Sequence, residues 1–380
     1  MAADLGNRPV LVTGLGVTSA FGRGTAALRE GLWDGRAAFA PVRRFDARGY
    51  RTEAAATLSG ASDLDEELRQ VVEQACAQAG LAGPERASTP LLFARHPDPA
   101  LARLPLATQR TLPTSLTASR LAAATGLQGA VRTYTNACTA ASSAVAEAAA
   151  SIRAGVRDRA VVAAGYLVAE DDFALFSAGR ALASDGMLRP FSARRRGLLL
   201  GDGVGAVVLE SAAAAAARGV HGIARLAGWG LAGDAHHVCQ PHPEGLGLAR
   251  AVEDALTSAG LAPADIGYVN AHGTGTPRND TAEAAALHRV FGPLTGGTPV
   301  SSTKALHGHS LAASGVLELV ATVLAVSHGE LPVNANHLGP DPSCRLDLVL
   351  GGPRRLAARH ALSLNAAFGG ANTALVVSAV

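Results

Sequence analysis

The stretch Thr135-Asn-Ala-Cys-Thr-Ala-Ala-Ser-Ser-Ala-Val-Ala-Glu-Ala-Ala-Ala150 has a counterpart in the second half of the chain. Its small, alanine-rich residues form helices readily and allow close packing. When the stretch is laid over the sequence 171 residues later, Cys138 falls on His309 and Glu147 falls on Glu318. The match predicts two equivalent central helices, one beginning near Cys138 and the other near His309.

A second pair of segments repeats in the same order. Residues 201–209 match residues 369–377 at nearly the same offset. Alanine-rich sequence produces single identities by chance, but two blocks in one order are a stronger signal. The repeat predicts two homologous halves, residues 1–215 and 216–380, packed as one body.

Short runs of β-branched residues alternate with alanine-rich helical stretches. Arg8–Gly14, Ala160–Gly165 and Gly267–His272 each have the pattern of a buried strand. Buried strands that alternate with helices indicate the α/β class.

The composition limits the function classes. The chain has 380 residues, 48% of them hydrophobic, and a formal net charge of +2, so nucleic acid is not an expected partner. The N-terminus lacks a signal-peptide pattern, and no apolar run is expected to reach membrane-spanning length. These features predict a soluble, cytoplasmic protein without a membrane partner.

The four cysteines lie far apart, without paired spacing, which indicates free thiols in a reducing compartment and no metal site. Cys138 precedes the predicted helix, where unpaired N–H groups and the helix dipole favour a thiolate. It is therefore the candidate nucleophile. Cys76, Cys239 and Cys344 are interpreted as inert thiols.

Lys304 is the only lysine among 33 cationic side chains. An ammonium is a compact point charge, whereas a guanidinium is a wide planar fork, so the two differ most inside a confined polar site. A lysine kept in a chain that otherwise uses arginine predicts a functional role. His309 follows five residues later and would share that role.

Two further segments carry candidate residues. His272 follows an apolar strand and opens the turn His272-Gly-Thr-Gly-Thr276, so its imidazole is expected to project from a strand end. Asn365-Ala-Ala-Phe-Gly-Gly-Ala-Asn372 is a glycine-rich loop that could bring a backbone N–H close to a substrate carbonyl.

Four motifs in this order resemble the β-ketoacyl-acyl-carrier-protein synthase family. They are Ala137-Cys-Thr139, His272-Gly-Thr-Gly-Thr276, Lys304-x-x-x-Gly-His309 and Phe368-Gly-Gly-x-Asn372. The resemblance implies a thiolase-like fold, in which two duplicated βαβαβ-type halves form five α-β-α-β-α layers. Residues from about 60 to 130 match the family poorly.

The resemblance also implies roles. Cys138 would accept an acyl chain from a thioester, and His272 and His309 would promote decarboxylation of a malonyl thioester. Lys304, partnered by Glu283, would tune the two histidines. The backbone N–H groups of Cys138 and Phe368 would form an oxyanion hole.

Phe368, with Gly369 beside it, would also control entry of the acyl chain, and three residues would support the site: Thr274, Thr276 and Asn372. The implied reaction is a decarboxylative Claisen condensation with malonyl-acyl carrier protein in a type II polyketide or specialised fatty acid pathway. It needs no metal and no cofactor beyond the phosphopantetheine that carries the substrates. The expected partners are acyl carrier protein and either a second copy or a chain-length-determining paralogue.

The chain departs from the family pattern at several places. The segment 80–138 is short and contains a Pro- and Arg-rich run, which affects partner choice and chain-length control. Ala366 and Ala367 stand where an aromatic residue and a glycine are usual, which should widen the pocket mouth. Residues 194–196 are three arginines, interpreted as a solvated turn that could alternatively face an acidic carrier. Asn136 is unusual and receives no role.

Three other functions remain open. A relative could pass the acyl chain from Cys138 to an alcohol or amine without condensation, although such a reaction needs less of the His and Lys apparatus. A non-catalytic partner subunit would set chain length, but such subunits typically lack the cysteine. A thiolase would require a second cysteine in the last glycine-rich loop, but this loop contains Phe368 and glycines instead.

Overall fold

The computed structural model describes residues 8–60, 63–96 and 114–380. Within these residues, twelve strands join in one large mixed sheet, and two pairs of short strands lie apart from it. The strands are β1 Val10–Ser19, β2 Gly22–Arg23, β3 Ala40–Pro41, β4 Ala54–Ala55, β5 Leu91–Arg95, β6 Val131–Tyr134, β7 Arg159–Tyr166, β8 Gly203–Ser211, β9 Ala224–Gly233, β10 Tyr268–Asn270, β11 Pro299–Ser301, β12 Glu330–Leu331, β13 Asp347–Leu348, β14 Arg354–Arg355, β15 His360–Ala366 and β16 Ala371–Ser378.

The described α-helices differ widely in length. They are α1 Thr25–Asp34, α2 Leu64–Gln78, α3 Gly83–Ser88, α4 Thr114–Ala124, α5 Ala140–Arg153, α6 Glu170–Ala178, α7 Ala212–Ala217, α8 Leu246–Ala259, α9 Pro277–Phe291, α10 Lys304–His307 and α11 Ser314–His328.

The large sheet consists of two sets of strands with the same order. The first set runs β1-β8-β7-β5-β6, and the second runs β9-β16-β15-β10-β11, with β13 at its edge. In each set the first two pairings are antiparallel and the next two are parallel. This shared topology is the structural counterpart of the sequence repeat. The boundary at 215/216 falls inside α7 and stays a prediction.

The two sets meet where β1 pairs with β9 in antiparallel fashion, with Val10 opposite Leu226. Helices α5 and α11 lie between the sets, since each packs against the other and against strands of both sets. Helix α2 covers the outer face of the first set, and α8, backed by α9, covers the second. The result is the expected α-β-α-β-α layering.

The central helices approach closely because their contact positions are small. A Cβ added to Gly315 of α11 would lie 2.5 Å from the backbone nitrogen of Ser142 in α5. A heavier residue at either position would separate the helices. The repeat motif therefore places Cys138 and His309 at the starts of two touching helices.

The expectation that no apolar run reaches membrane-spanning length is wrong. Residues Leu311–His328 form an 18-residue segment with a mean hydropathy of 1.7, which meets the length and composition of a membrane span. Because 89% of that segment is buried inside the protein, it has the properties of a core helix. The sequence alone could not distinguish the two cases, since both are apolar on every side.

Candidate active site

Cys138 lies in a tight turn between a strand and a central helix. The chain leaves β6 at Tyr134, makes a 3₁₀ turn over Ala137–Thr139, and enters α5 at Ala140. Ala137 has a φ of 50°, which is uncommon for a residue with a side chain. Such strain at the residue before a candidate nucleophile is typical of a functional turn.

Asn136 stabilises this turn through hydrogen bonds of its side chain, a role that its sequence context did not reveal. Its Nδ2 donates to the hydroxyl oxygen of Thr139 at 3.0 Å and to that of Ser143 at 2.9 Å. Both acceptors lie at the start of α5. The amide therefore fixes the geometry of the nucleophile turn from one side.

His309 is in direct contact with the cysteine. Its Nε2 lies 3.1 Å from Sγ of Cys138, and its Nδ1 lies 2.9 Å from Oγ of Ser314. Both ring partners are buried, and the backbone N–H of His309 donates to the carbonyl of Leu199. When Nδ1–H donates to Ser314, Nε2 is free to accept the thiol proton.

His272 completes a pair of imidazoles. Its ring centroid is 5.4 Å from that of His309, with an angle of 84° between the ring planes. Within the described chain, Nδ1 of His272 has no hydrogen-bond partner. The structure thus brings Cys138 and both predicted histidines into one buried cluster.

Glu283 holds the turn that carries His272. One carboxylate oxygen accepts from the backbone N–H of His272 and the other from that of Gly273, each at 2.7 Å. A Cβ on Gly273 would come within 2.5 Å of the side chain of Ser302, so glycine is required there. Burial raises the pKa of Glu283 to about 7, and the two backbone N–H groups oppose that shift.

The predicted pairing of Lys304 with Glu283 is wrong. The Nζ of Lys304 lies 2.5 Å from Oε1 of Glu318, and neither side chain is exposed to solvent. Glu283 already receives two backbone N–H groups, so Glu318 supplies the negative charge that a buried ammonium needs. The second oxygen of Glu318 accepts from Nδ2 of Asn365 at 2.6 Å.

The supporting threonines lie on the same turn as His272. Their hydroxyl oxygens are 3.0 Å apart; Thr274 is buried, and Thr276 is half-buried directly before α9. The pair therefore stabilises the turn.

The glycine-rich loop between β15 and β16 carries an exposed aromatic side chain. Phe368 is 54% exposed and stacks on Phe176, with ring centroids 6.2 Å apart. Gly369, with a φ of 87°, donates its backbone N–H to the carbonyl of Val238 at 2.7 Å. This hydrogen bond ties the loop to the segment that follows β9.

Asn372 reinforces the same connection. Its Nδ2 donates to Oδ1 of Asp234 at 2.9 Å, while the backbone N–H of His242 donates to the other oxygen of that carboxylate at 3.0 Å. Asp234 thus links the loop after Phe368 to residues 234–242.

Burial determines the charge state of the cluster. It lowers the pKa of His272 and of His309 well below the usual value, and the ammonium of Lys304 lowers both further. Both imidazoles are therefore neutral near pH 7. A neutral imidazole can accept one proton and donate another, which suits both steps of a thioester reaction.

Cys138 differs from its expected state. Burial raises the pKa of its thiol to about 12; Lys304 opposes this shift, and Glu318 adds to it. The expectation of a resting thiolate at the helix start is wrong, because desolvation outweighs the favourable charges. The resting cysteine is a thiol beside a neutral His309.

The three arginines at 194–196 do not form a simple solvated turn. Arg194 and Arg196 are exposed, but Arg195 is buried, pairs with Asp341 and lies 3.6 Å from Asp280. The middle arginine is a structural cation. The other two lie on the surface, where Nε of Arg196 is 3.9 Å from Oδ2 of Asp185.

Sequence reasoning missed the roles of Glu318, Asn365 and Ser314. The repeat had marked Glu318 as the counterpart of Glu147, but it gave no reason to place an ion pair there. The shortened segment 80–138 lies partly outside the described residues, which omit 97–113.

Comparison with known proteins identifies the family. The model of the β-ketoacyl synthase N-terminal domain matches residues 93–215, and that of the β-ketoacyl synthase C-terminal domain matches residues 223–337. Nodulation protein E of Rhizobium meliloti (strain 1021) is 34% identical over 98% of this chain and all of its own length.

Solved structures agree with this assignment and with the thiolase-like fold. The ishigamide ketosynthase/chain length factor matches with a TM-score of 0.89 and 30% identity, over 98% of this chain and 100% of that one. The complex AntDE:AntF, described as a type II PKS acyl-carrier protein with its ketosynthase bound to the hexaketide, matches with a TM-score of 0.91 and 26% identity, over the same shares. The chain belongs to the β-ketoacyl synthase family.

Proposed function

We propose that this chain catalyses decarboxylative condensation of an acyl group on Cys138 with malonyl-acyl carrier protein. The 3.1 Å contact between Sγ of Cys138 and Nε2 of His309, beside the second imidazole of His272, carries this proposal. It combines a nucleophile, a proton acceptor and a second hydrogen-bonding group in one buried cluster. The family membership supports the same chemistry.

The first step loads the cysteine. Nε2 of His309 accepts the thiol proton as Sγ of Cys138 attacks the carbonyl of an acyl thioester on the carrier. A tetrahedral oxyanion forms and collapses, the carbon–sulfur bond to the carrier breaks, and the proton passes to the departing thiolate. The products are an acyl-Cys138 thioester and a free carrier thiol.

The oxyanion formed in that step requires hydrogen-bond donors. The backbone N–H groups of Cys138 and Phe368 are the proposed pair, because one lies in the turn that carries the cysteine and the other in the loop between β15 and β16, whose strands contact that turn. Removing a donor of this kind typically lowers the rate by about a hundredfold to a thousandfold. Phe368 would also control entry, since its ring covers Phe176.

The second step forms the new carbon–carbon bond. The malonyl thioester loses carbon dioxide, and the electron pair of the broken bond becomes an enolate whose oxygen accepts hydrogen bonds from His272 and His309. In this step His309 is in the other tautomer, in which the hydroxyl of Ser314 donates to Nδ1 and Nε2 carries the hydrogen. The enolate carbon then attacks the acyl carbonyl on Cys138, and the carbon–sulfur bond breaks to release a β-ketoacyl carrier. The Cys138 thiolate then takes up one proton from solvent, which restores the resting thiol. The charge of Lys304 lowers the pKa of both imidazoles and so keeps them neutral, and each neutral ring can donate one hydrogen bond.

The substrates are carried by partners. We expect phosphopantetheine on acyl carrier protein to deliver both thioesters, with no further cofactor. The solved relative AntDE:AntF is a ketosynthase in complex with a carrier, and exposed Arg194 and Arg196 could face an acidic one. A cytoplasmic type II polyketide or specialised fatty acid pathway fits these partners. The chain would act as a homodimer or with a chain-length paralogue.

Intact-protein mass spectrometry tests this proposal. After incubation with a panel of acyl carriers, Cys138 should gain an acyl group, and added malonyl carrier should release carbon dioxide. Cys138→Ser should not acquire the thioester.

The alternatives give different results. A chain-length subunit would gain no acyl group. A non-condensing acyltransferase would be acylated, would release no carbon dioxide, and would pass the chain to an alcohol or amine. Either result would contradict the proposed condensation.

A further inference from the structure

Asn365 lies at the end of β15 and contacts the buried ion pair from the opposite side. It is fully buried, and its Nδ2 donates to Oε2 of Glu318 at 2.6 Å. The other oxygen of that carboxylate faces Nζ of Lys304 at 2.5 Å. Glu318 is therefore held between a neutral amide and an ammonium.

The position of Lys304 depends on this arrangement. A lysine stem has four rotatable bonds, and the ammonium has no preferred direction of its own. Its direction is set by the carboxylate, and the carboxylate has one oxygen fixed by the amide of Asn365. Without that amide, Glu318 could rotate and carry the ammonium with it.

We propose that Asn365 is a positioning residue for the decarboxylation step, because it orients Glu318 and thereby fixes the charge of Lys304 that acts on His272 and His309. This inference rests on the proposed condensation. Asn365 does not contact the reacting atoms. It acts through the ion pair.

The electrostatics around Glu318 give the proposal a pH signature. Burial raises the pKa of Glu318, whereas Lys304 and the hydrogen bond from Asn365 lower it. Cys138 and Tyr268 are the other titratable groups that sense the charge of Glu318. Loss of the amide removes a lowering influence, so Glu318 takes up a proton at higher pH and stops pairing with Lys304.

The experiment uses Asn365→Leu, which has a similar volume and no donor, in the full chain. Carbon dioxide release from malonyl carrier should fall about tenfold in kcat, since a hydrogen bond to a charged group is lost. KM for the carrier should stay unchanged. The acidic limb of the kcat profile should move up by about one pH unit. Acylation of Cys138 should slow much less than carbon dioxide release, because acylation does not require the enolate step, although Cys138 also senses the charges of Glu318 and Lys304.

Two further variants protect the test against a folding defect. Asn365→Asp keeps the shape and adds a second negative charge beside Glu318, so its pH shift should have the same sign and be larger. Ser363→Ala is the control, because Ser363 is buried two residues earlier on the same strand face, and its hydroxyl has no hydrogen-bond partner among the described residues. It should leave kcat and the pH profile unchanged.

The outcomes separate the two proposals. If folded Asn365 variants keep the wild-type kcat and pH profile, or lose acylation and decarboxylation equally, the positioning role is wrong. If the wild-type protein is acylated but releases no carbon dioxide, the condensation itself is wrong, and the role of Asn365 falls with it.

Discussion

At the scale of single residues, the central question is where the thiol proton of Cys138 rests. The helix start and Lys304 favour a thiolate, but burial raises the pKa of Cys138 to about 12. Burial also keeps the His309 acceptor neutral, because its pKa lies well below the usual value. The proton therefore stays on Sγ of Cys138 until a substrate binds. The reactivity of the thiol then depends on the 3.1 Å contact between Sγ of Cys138 and Nε2 of His309.

This charge state predicts the pH dependence of alkylation. A group with a raised pKa stays protonated across the neutral range, so the thiolate fraction of Cys138 should rise about tenfold for each pH unit. The alkylation rate by iodoacetamide, followed on the Cys138 peptide from pH 6 to pH 9, should rise throughout. The exposed Cys239 provides an internal reference for the reagent. A plateau below pH 7 would show that a thiolate is already present.

Substitution of His309 and of His272 should affect different steps of the reaction. His309→Ala should slow both acylation and carbon dioxide release, because His309 contacts Sγ of Cys138. His272→Ala should slow carbon dioxide release by about a hundredfold or more and affect acylation much less. Single-turnover acylation and carbon dioxide assays measure the two steps. Equal effects of both substitutions on both steps would refute this division.

Lys304→Arg should lose most of the catalytic activity, although it conserves the positive charge. The side chain has no exposed surface, and a planar guanidinium cannot replace an ammonium held 2.5 Å from Glu318 without displacing its neighbours. We expect turnover to fall by about a hundredfold, as for loss of one electrostatic contributor to catalysis. Exchange of the exposed Arg36 for lysine is the matched control. Normal kinetics for Lys304→Arg would contradict the argument from the lone lysine.

At the scale of elements, the site depends on close contact between α5 and α11. Gly315→Ala should destabilise the protein by about 1–3 kcal/mol, since its Cβ would meet the backbone of Ser142 at 2.5 Å. Urea unfolding measures the change. Gly83→Ala is the control because its Cβ meets nothing within 4 Å. Equal stability of the two variants would mean that the helices separate at no cost.

The loop after β15 makes a prediction about selectivity. Phe368→Ala removes the ring that stacks on Phe176 at an exposed position, so it should change which acyl carriers load Cys138 without unfolding the protein. Competition between short and long acyl carriers, measured by mass spectrometry, reports the change. An unaltered preference would reject control of entry by this ring.

At the scale of the whole molecule, the repeat and the motifs predicted the layering and the meeting of Cys138, His272 and His309. They succeeded because equivalent helices begin at Cys138 and near His309, and because His272 follows a strand. The partner of Lys304 was not predictable, since Glu283 and Glu318 lie on different helices, α9 and α11, and local motifs do not show which helix brings its carboxylate to the ammonium. The protonation state of Cys138 was also missed, because local motifs do not report total burial.

The most direct test of the account is the mass of the carrier-bound product formed by acyl-Cys138 and malonyl-acyl carrier protein. The account predicts a β-ketoacyl carrier whose added mass equals the acyl group plus malonyl minus carbon dioxide, with loss of the acyl group from Cys138. An acyl chain that stays on Cys138, or that leaves it only to water or an alcohol, would contradict the account.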